Sequence, residues 1–336
     1  MPRNRILPVF IPHLGCPNNC VFCDQNRISG CVVPADGNTV RSACDQAKRD
    51  GFSGLELALY GGSFTAVDPA TQEALLKAAQ PYLADGTIRA VRLSTRPDAV
   101  GGDALTRLRR YGVSTVELGA QSMDDAVLLA SGRGHTAADT ENAARRLRAA
   151  GFHVVLQMMT GLPGADAKSD IRTAERLAAL RPDGVRVYPT VIMENTPLAA
   201  LWRSGAYAEH TVADAVAVCA DILDVFEAAD IPVIRLGLNP TDTLSGGAAI
   251  GGAYHPALGE LVRSERMRRK AAAMLSDAGV SPGASVVLGV NPRRVSAMTG
   301  QHRSNVRALT ERFSLASLRI RPADVSGDTI AILSVQ

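Results

Sequence analysis

Three cysteines lie within eight residues near the start of the chain, in His13-Leu14-Gly15-Cys16-Pro17-Asn18-Asn19-Cys20-Val21-Phe22-Cys23. The spacing is C-x3-C-x2-C. Three thiolates on one short loop can wrap a soft metal centre, since the thiolate is the metal-binding form of cysteine. Two chemistries suit it. A structural zinc site normally takes four protein ligands, and Cys31 would supply the fourth. An iron–sulfur cluster usually takes four cysteines; a site with three leaves one iron open to a substrate or cofactor. Pro17, Asn18 and Asn19 are turn formers, and Phe22 would cover the centre from solvent. Five of the six cysteines fall in the first 44 residues, unlike the dispersed disulfide framework of a small secreted chain. Cys44 and Cys219 fall at apolar helix positions and read as ordinary core thiols. Cys31 reads as a structural thiol, with an auxiliary ligand as the alternative.

Polar clusters follow at the ends of apolar runs: Tyr60-Gly61-Gly62-Ser63-Phe64-Thr65, Ser94-Thr95-Arg96-Pro97-Asp98, Glu117-Leu118-Gly119-Ala120-Gln121-Ser122, Arg133-Gly134-His135-Thr136, Gln157-Met158-Met159-Thr160-Gly161-Leu162-Pro163-Gly164 and Arg186-Val187-Tyr188-Pro189-Thr190. Paired glycines leaving a strand let backbone approach a ligand closely, or simply make a tight turn. A guanidinium such as Arg133 can grip a carboxylate with two parallel hydrogen bonds, or make a surface salt bridge. Gln121 and Gln157 are otherwise polar strand ends. His135 reads as a local cap, and Met158-Met159 as core.

The elements that must position these clusters alternate. Strand-like runs occupy residues 6–12, 55–60, 88–94, 114–119, 152–159, 184–189 and 231–236. Helical patterns lie between, at Pro69–Leu83, Gly102–Tyr111, Thr136–Ala150, Asp166–Leu180 and Thr211–Ala229. Asp68-Pro69 marks a helix start and Gly151 a helix stop. Alternation implies βα units on a parallel sheet, and active sites of parallel α/β barrels gather at the C-terminal strand ends, where every cluster lies. The expected fold is α/β: a parallel (β/α) partial barrel, with a doubly wound sheet as the alternative. The Gly-rich stretch Thr241–Tyr254 breaks the rhythm, so domains are expected at 1–245 and 246–336, the second a small α+β module. Arg235, Asn239, His255 and Glu260, around that stretch, are candidates to line a substrate pocket.

The cysteine spacing, with an aromatic residue before the third cysteine and a strand ahead of the loop, resembles the radical S-adenosylmethionine (SAM) superfamily. Adding STRPD, ELGAQS, RGHT, MTGLPG and the Tyr188-Pro189 segment, roughly residues 8–200 resemble the radical SAM domain of the Elongator catalytic subunit family. The resemblance implies a 4Fe–4S cluster on Cys16, Cys20 and Cys23, with SAM on the fourth iron. Reduction would cleave SAM to methionine and a 5′-deoxyadenosyl radical. It implies SAM contacts at Gly61, Gly62, Ser63, Ser94, Thr95, Gln121, Arg133 and Gln157. Ser63 departs from the usual Glu or Thr, and Arg186 stands where the Elongator branch has Lys. About 90 residues follow the expected boundary without an acetyl-CoA loop, so acetyl-group transfer does not carry over.

The 336 residues are 46% apolar and 21% charged, enough for a full core. Aromatics at 4% exclude a stacking-rich single-strand binder as the main theme. No apolar run reaches ~18 residues and the first residues lack a signal peptide's apolar stretch, so a cytoplasmic protein without membrane partners is expected. Residues 1–260 carry 24 Lys+Arg against 28 Asp+Glu, whereas 261–321 carry 12 against 3. That +9 segment, with Arg293, Arg294, Arg303 and Arg307, is either an electrostatic footprint for RNA or a solvated arginine-rich face. The expected function is therefore a radical SAM enzyme served by an external electron donor and acting on tRNA or other RNA. The alternatives are a radical SAM enzyme with a tetrapyrrole-like small molecule, or a zinc protein that binds nucleic acid.

Overall fold

The computed structural model describes residues 5–12, 14–24, 33, 35–239 and 244–336. The expectation placed on Cys31 lies outside them. In chain order the elements are β1 (Ile6–Phe10), α1 (Gly37–Arg49), β2 (Leu55–Tyr60), α2 (Pro69–Ala84), β3 (Ile88–Thr95), α3 (Gly102–Arg110), β4 (Val113–Gln121), α4 (Asp125–Ala130), α5 (Ala137–Ala149), β5 (His153–Thr160), α6 (Ala167–Ala179), β6 (Gly184–Pro189), β7 (Val191–Met193), α7 (Pro197–Arg203), α8 (Val212–Ala228), β8 (Val233–Leu236) and β9 (Ala249–Gly252). Then follow α9 (Leu258–Asp277), β10 (Ser285–Val290), α10 (Val295–Thr299), α11 (Ser304–Arg312), β11 (Ser317–Pro322) and β12 (Ile330–Val335).

Helix starts follow the local chemistry. Asp68 accepts from Thr71 N at 2.9 Å with Pro69 in the first turn. Asp36, Thr136 and Asp166 each form a reciprocal capping box. The helices link strands of one seven-stranded sheet, ordered β1-β2-β3-β4-β5-β6-β8 with every pairing parallel. A doubly wound sheet reverses its strand order at a switch point; this order follows the chain throughout, which is a curled half-barrel. Side chains alternate along each strand. Leu57, Leu59, Leu93, Val116, Leu118, Leu156 and Met158 are buried. Each stabilises the fold by about 1.5–3 kcal/mol. The alternate positions, among them Tyr60, Ser94, Glu117, Gln157 and Arg186, line the lumen.

The chain divides into two compact units, Met1–Thr211 with Ile222–Tyr254, and Val212–Asp221 with His255–Gln336. The division differs from the expected 245/246 boundary. The reason is β9, which continues the first unit by pairing antiparallel with β7. Gly252 makes that approach possible: a Cβ there would lie 2.7 Å from Thr190 O. The second unit is an α+β module in which β10 pairs parallel with β11 and antiparallel with β12. Its core gathers Met267, Leu275, Leu288, Met298 and Leu309. No helix among the described residues is long and apolar enough to cross a membrane.

Candidate active site

A cavity of about 570 Å³ occupies the lumen and C-terminal rim of the half-barrel. Cys16, Cys20 and Cys23 line it, and so do Gly61, Gly62, Ser63, Ser94, Thr95, Gln121, Arg133 and Gln157. Every residue of the expected cluster and SAM sites therefore faces one space. Asn239 lines it too, while Arg235 donates instead to Gly237 O at 2.9 Å. His255 belongs to the second unit, where its Nδ1 accepts from Ala257 N at 3.1 Å.

The cysteine loop is anchored by backbone. Ser63 N donates to Leu14 O at 2.8 Å, and Val21 N to Ser131 O at 3.1 Å. A Cβ at Gly62 would stand 2.5 Å from both Ile11 O and Leu14 O. Gly62 thus admits the cysteine loop itself. Phe22 packs against the apolar cluster of Ile192, Leu198 and Tyr207 as well as lining the cavity. Burial, and then Cys20 beside it, push the Cys16 thiol above its ordinary value.

Ser63 and Thr95 are buried, and their hydroxyls serve each other. Ser63 Oγ lies 3.2 Å from Thr95 Oγ1 and accepts from Arg96 N at 3.1 Å; Thr65 Oγ1 is 2.5 Å from Thr95 Oγ1. Ser63 departs from the Elongator pattern with a hydroxyl already employed in joining the ends of β2 and β3. Gln121 is buried at φ 64, the left-handed region that favours glycine. Its Oε1 has no protein partner. Arg133 is buried as well. Its Nη2 donates to Gly119 O at 2.6 Å and its Nη1 to Cys20 Sγ at 3.3 Å, while Nε has no hydrogen-bond partner. His135 lies outside the cavity lining and is buried. Its Nε2 donates to Ala120 O at 3.2 Å, and burial, then the Arg133 charge, hold the imidazole down at about 4.

Below the rim lies a network of charges that the sequence pattern did not announce. Glu117 stands 2.9 Å from Arg92 Nη2 and 2.9 Å from Arg186 Nε. Arg92 reaches Glu56 at 3.2 Å. Tyr60 donates its hydroxyl to Glu117 at 2.7 Å, and Arg186 donates to Tyr188 at 3.2 Å. Tyr60, Glu117, Arg186 and Tyr188 line the cavity, as does Met159, which is not a core residue. Two further residues matter to the rim. Arg96 makes a two-pronged pair with Asp98 at 2.8 and 3.0 Å, and donates to Arg133 O at 2.8 Å. Asn18 donates to the same carbonyl at 3.1 Å. The STRPD motif and the asparagine between the cysteines were the available signals.

These residues suit the expected cofactors. Three thiols line the cavity, and a buried donor, Arg133 Nε, and a buried acceptor, Gln121 Oε1, lack protein partners. Such groups are costly unless a ligand satisfies them. Among the described residues no three His, Cys, Asp or Glu side chains are grouped to hold one metal ion.

The fold and the three-cysteine rim define a class. Residues 10–177 match the radical SAM superfamily, and residues 182–268 match the radical SAM C-terminal domain. The chain belongs to the radical SAM superfamily, and is an enzyme of the kind that uses a 4Fe–4S cluster and SAM. It is 28% identical to a tRNA uridine(34) acetyltransferase of Methanocaldococcus jannaschii over 184 residues, 49% of this chain and 34% of that protein. It is 34% identical to human Elongator complex protein 3 over 136 residues, 40% of this chain and 25% of that protein. Against such curated relatives the chain spans between 25% and 53% of their length. The solved Methanocaldococcus infernus Elp3, with an N-terminal deletion, shares the fold at TM-score 0.62 and 20% identity, covering 84% of this chain and 70% of that one.

Proposed function

We propose that this chain is a radical SAM enzyme that modifies RNA, with tRNA as the leading substrate. Cys16, Cys20 and Cys23 hold the cluster, and Gly61, Gly62, Ser63, Ser94, Thr95, Gln121, Arg133 and Gln157 shape the SAM site. The observation that carries the reading is the meeting of all eleven residues in one cavity at the strand ends. When bound and reduced by an external donor, the cluster supplies reductive cleavage of SAM and so a radical able to abstract hydrogen. The chain's own residues bind, orient and enclose. Arg133 offers its Nε to the SAM carboxylate and Gln121 its Oε1 to a donor on SAM. The β7–β9 ribbon continues the wall, through Val191 and Met193, and excludes water from the radical. Tyr188 and Arg186, on the lumen floor, present donors to a substrate group. RNA as substrate is supported by the names of the relatives and by Arg293, Arg303 and Arg307, which are exposed on the second unit.

A small-molecule substrate is the second reading, since about 570 Å³ is within the range of small-ligand sites. One experiment separates the two. The reconstituted protein is incubated anaerobically with SAM, dithionite and total cellular RNA, and the nucleosides are analysed by mass spectrometry. A SAM-dependent change in one nucleoside is expected. Vigorous SAM cleavage with every nucleoside unchanged would transfer the proposal to small molecules.

A further inference from the structure

Arg133 is held from both ends. Its carbonyl accepts from Arg96 at 2.8 Å and from Asn18 at 3.1 Å, and Asn18 belongs to the cysteine loop. Arg96 is itself fixed by the two-pronged pair with Asp98. Two glycines leave the room required. A Cβ at Gly134 would stand 2.0 Å from Asn18 Nδ2, and one at Gly119 would stand 3.3 Å from Arg133 Nη2. The guanidinium is then anchored on Gly119 O at 2.6 Å, which directs Nη1 onto Cys20 Sγ at 3.3 Å. Cys20 and Arg133 are both buried, at 7% and 8% exposure, so water and salt screen this contact weakly.

We propose that Arg133 is a positioning residue for electron uptake: it donates an N–H to the Cys20 thiolate and thereby raises the potential at which the cluster is reduced. The inference rests on Cys20 being a cluster ligand. Taking up an electron makes the cluster one charge more negative. A nearby fixed cation and a hydrogen bond to a ligand sulfur favour that more negative state. The contact uses Nη1, which leaves Nε for SAM, so the two roles of Arg133 are separable by omitting SAM.

The test uses the full chain, reconstituted anaerobically without SAM, as wild type, Arg133→Gln and Arg133→Lys. Iron and sulfide content are measured beside an EPR-monitored redox titration. The Gln variant is expected to keep its iron and to show a more negative midpoint. At fixed potential its ratio of reduced to oxidised cluster should fall about tenfold, ~59 mV for one electron. The Lys variant keeps the charge without the planar fork and should fall between the two. Loaded variants with the wild-type midpoint would overturn the inference, because a merely structural arginine would leave the potential alone. Should the Gln variant lose its cluster, ¹⁵N-arginine labelling decides. A guanidinium nitrogen coupled to the reduced wild-type cluster, absent in the Lys variant, supports the proposal, and no coupling in wild type overturns it. Full iron loading of Cys20→Ala would defeat the ligand reading and the inference with it.

Discussion

Cys20 and Cys44 are both buried thiols with opposite expected fates. Cys44 lies inside α1 at 0% exposure, where burial, then Asp45 and Asp85, push its thiol up to about 11. A thiol held protonated is a poor metal ligand and an inert packing group. Cys44→Ala should therefore cost about 1 kcal/mol of stability and leave iron content unchanged. Cys20→Ala should lose both cluster loading and SAM cleavage, since two thiolates hold a cluster poorly. Iron analysis after anaerobic reconstitution checks both; equal loading of the two variants would remove Cys20 from the site. The cysteines were legible in the sequence because their grouping is local, within eight residues. Asn18 was legible only as a turn former, because its partner, the Arg133 carbonyl, lies 115 residues away. Arg186 stood out only as a departure from Lys, its partners Tyr60 and Glu117 being set by the parallel register.

At the scale of elements, the alternation of strands and helices told the half-barrel, but not β7 and β9. These strands have three and four residues, and β9 lies within the Gly-rich stretch, so no local periodicity announces them. The turn after β5 carries a titrating group of its own. Asp170 on α6 is buried and accepts from Gly161 N at 2.9 Å, and burial lifts its carboxyl to about 7. A raised folded value means the native state holds the proton more tightly. Its stabilisation is complete below about pH 4 and lost as pH climbs towards 7. His135 runs the other way. Its imidazole is depressed to about 4, so its contribution is present above about pH 6.5 and lost as pH falls through 4. The two slopes oppose one another. Asp170→Asn keeps an acceptor for Gly161 and removes one slope. Relative to wild type, it should lose about 2 kcal/mol more stability on acidification from pH 7 to 5. Calorimetric melting at the two pH values checks this, and parallel melting curves would show that Asp170 does not titrate there.

For the molecule as a whole, the sequence's charge asymmetry becomes a property of one unit. Arg293, Arg303 and Arg307 are exposed, whereas Arg294 pairs with Asp328 of the same unit at 2.6 Å. His302 and Arg303 enter α11 with φ 50 and 61, left-handed values that a turn must impose on non-glycine residues. The RNA test should therefore change Arg293, Arg303 and Arg307 to Glu and spare Arg294, which holds β12's approach. Every phosphate that then goes unneutralised should flatten the salt dependence by a slope of about 0.7 for single strands or about 0.9 for duplex. Cluster content and uncoupled SAM cleavage should persist. A folded triple variant with the wild-type salt slope would end the role of this face in RNA binding.

The lumen charges have a consequence for the routes by which such a sequence can change. Glu117 touches two arginines, and Arg92 touches two glutamates. Neutralising one member strands its neighbour in a buried site, at about 3–5 kcal/mol, whereas replacing an opposed pair by apolar groups of like volume is close to neutral. In a saturation library, Glu117 and Arg92 would score as immovable singly, and as exchangeable together only where Arg186 and Glu56 change with them, since each is left without its partner by the double change. Lineages carrying this lumen would cross to another charge pattern by coupled steps, and the columns of Glu56, Arg92, Glu117 and Arg186 would vary together.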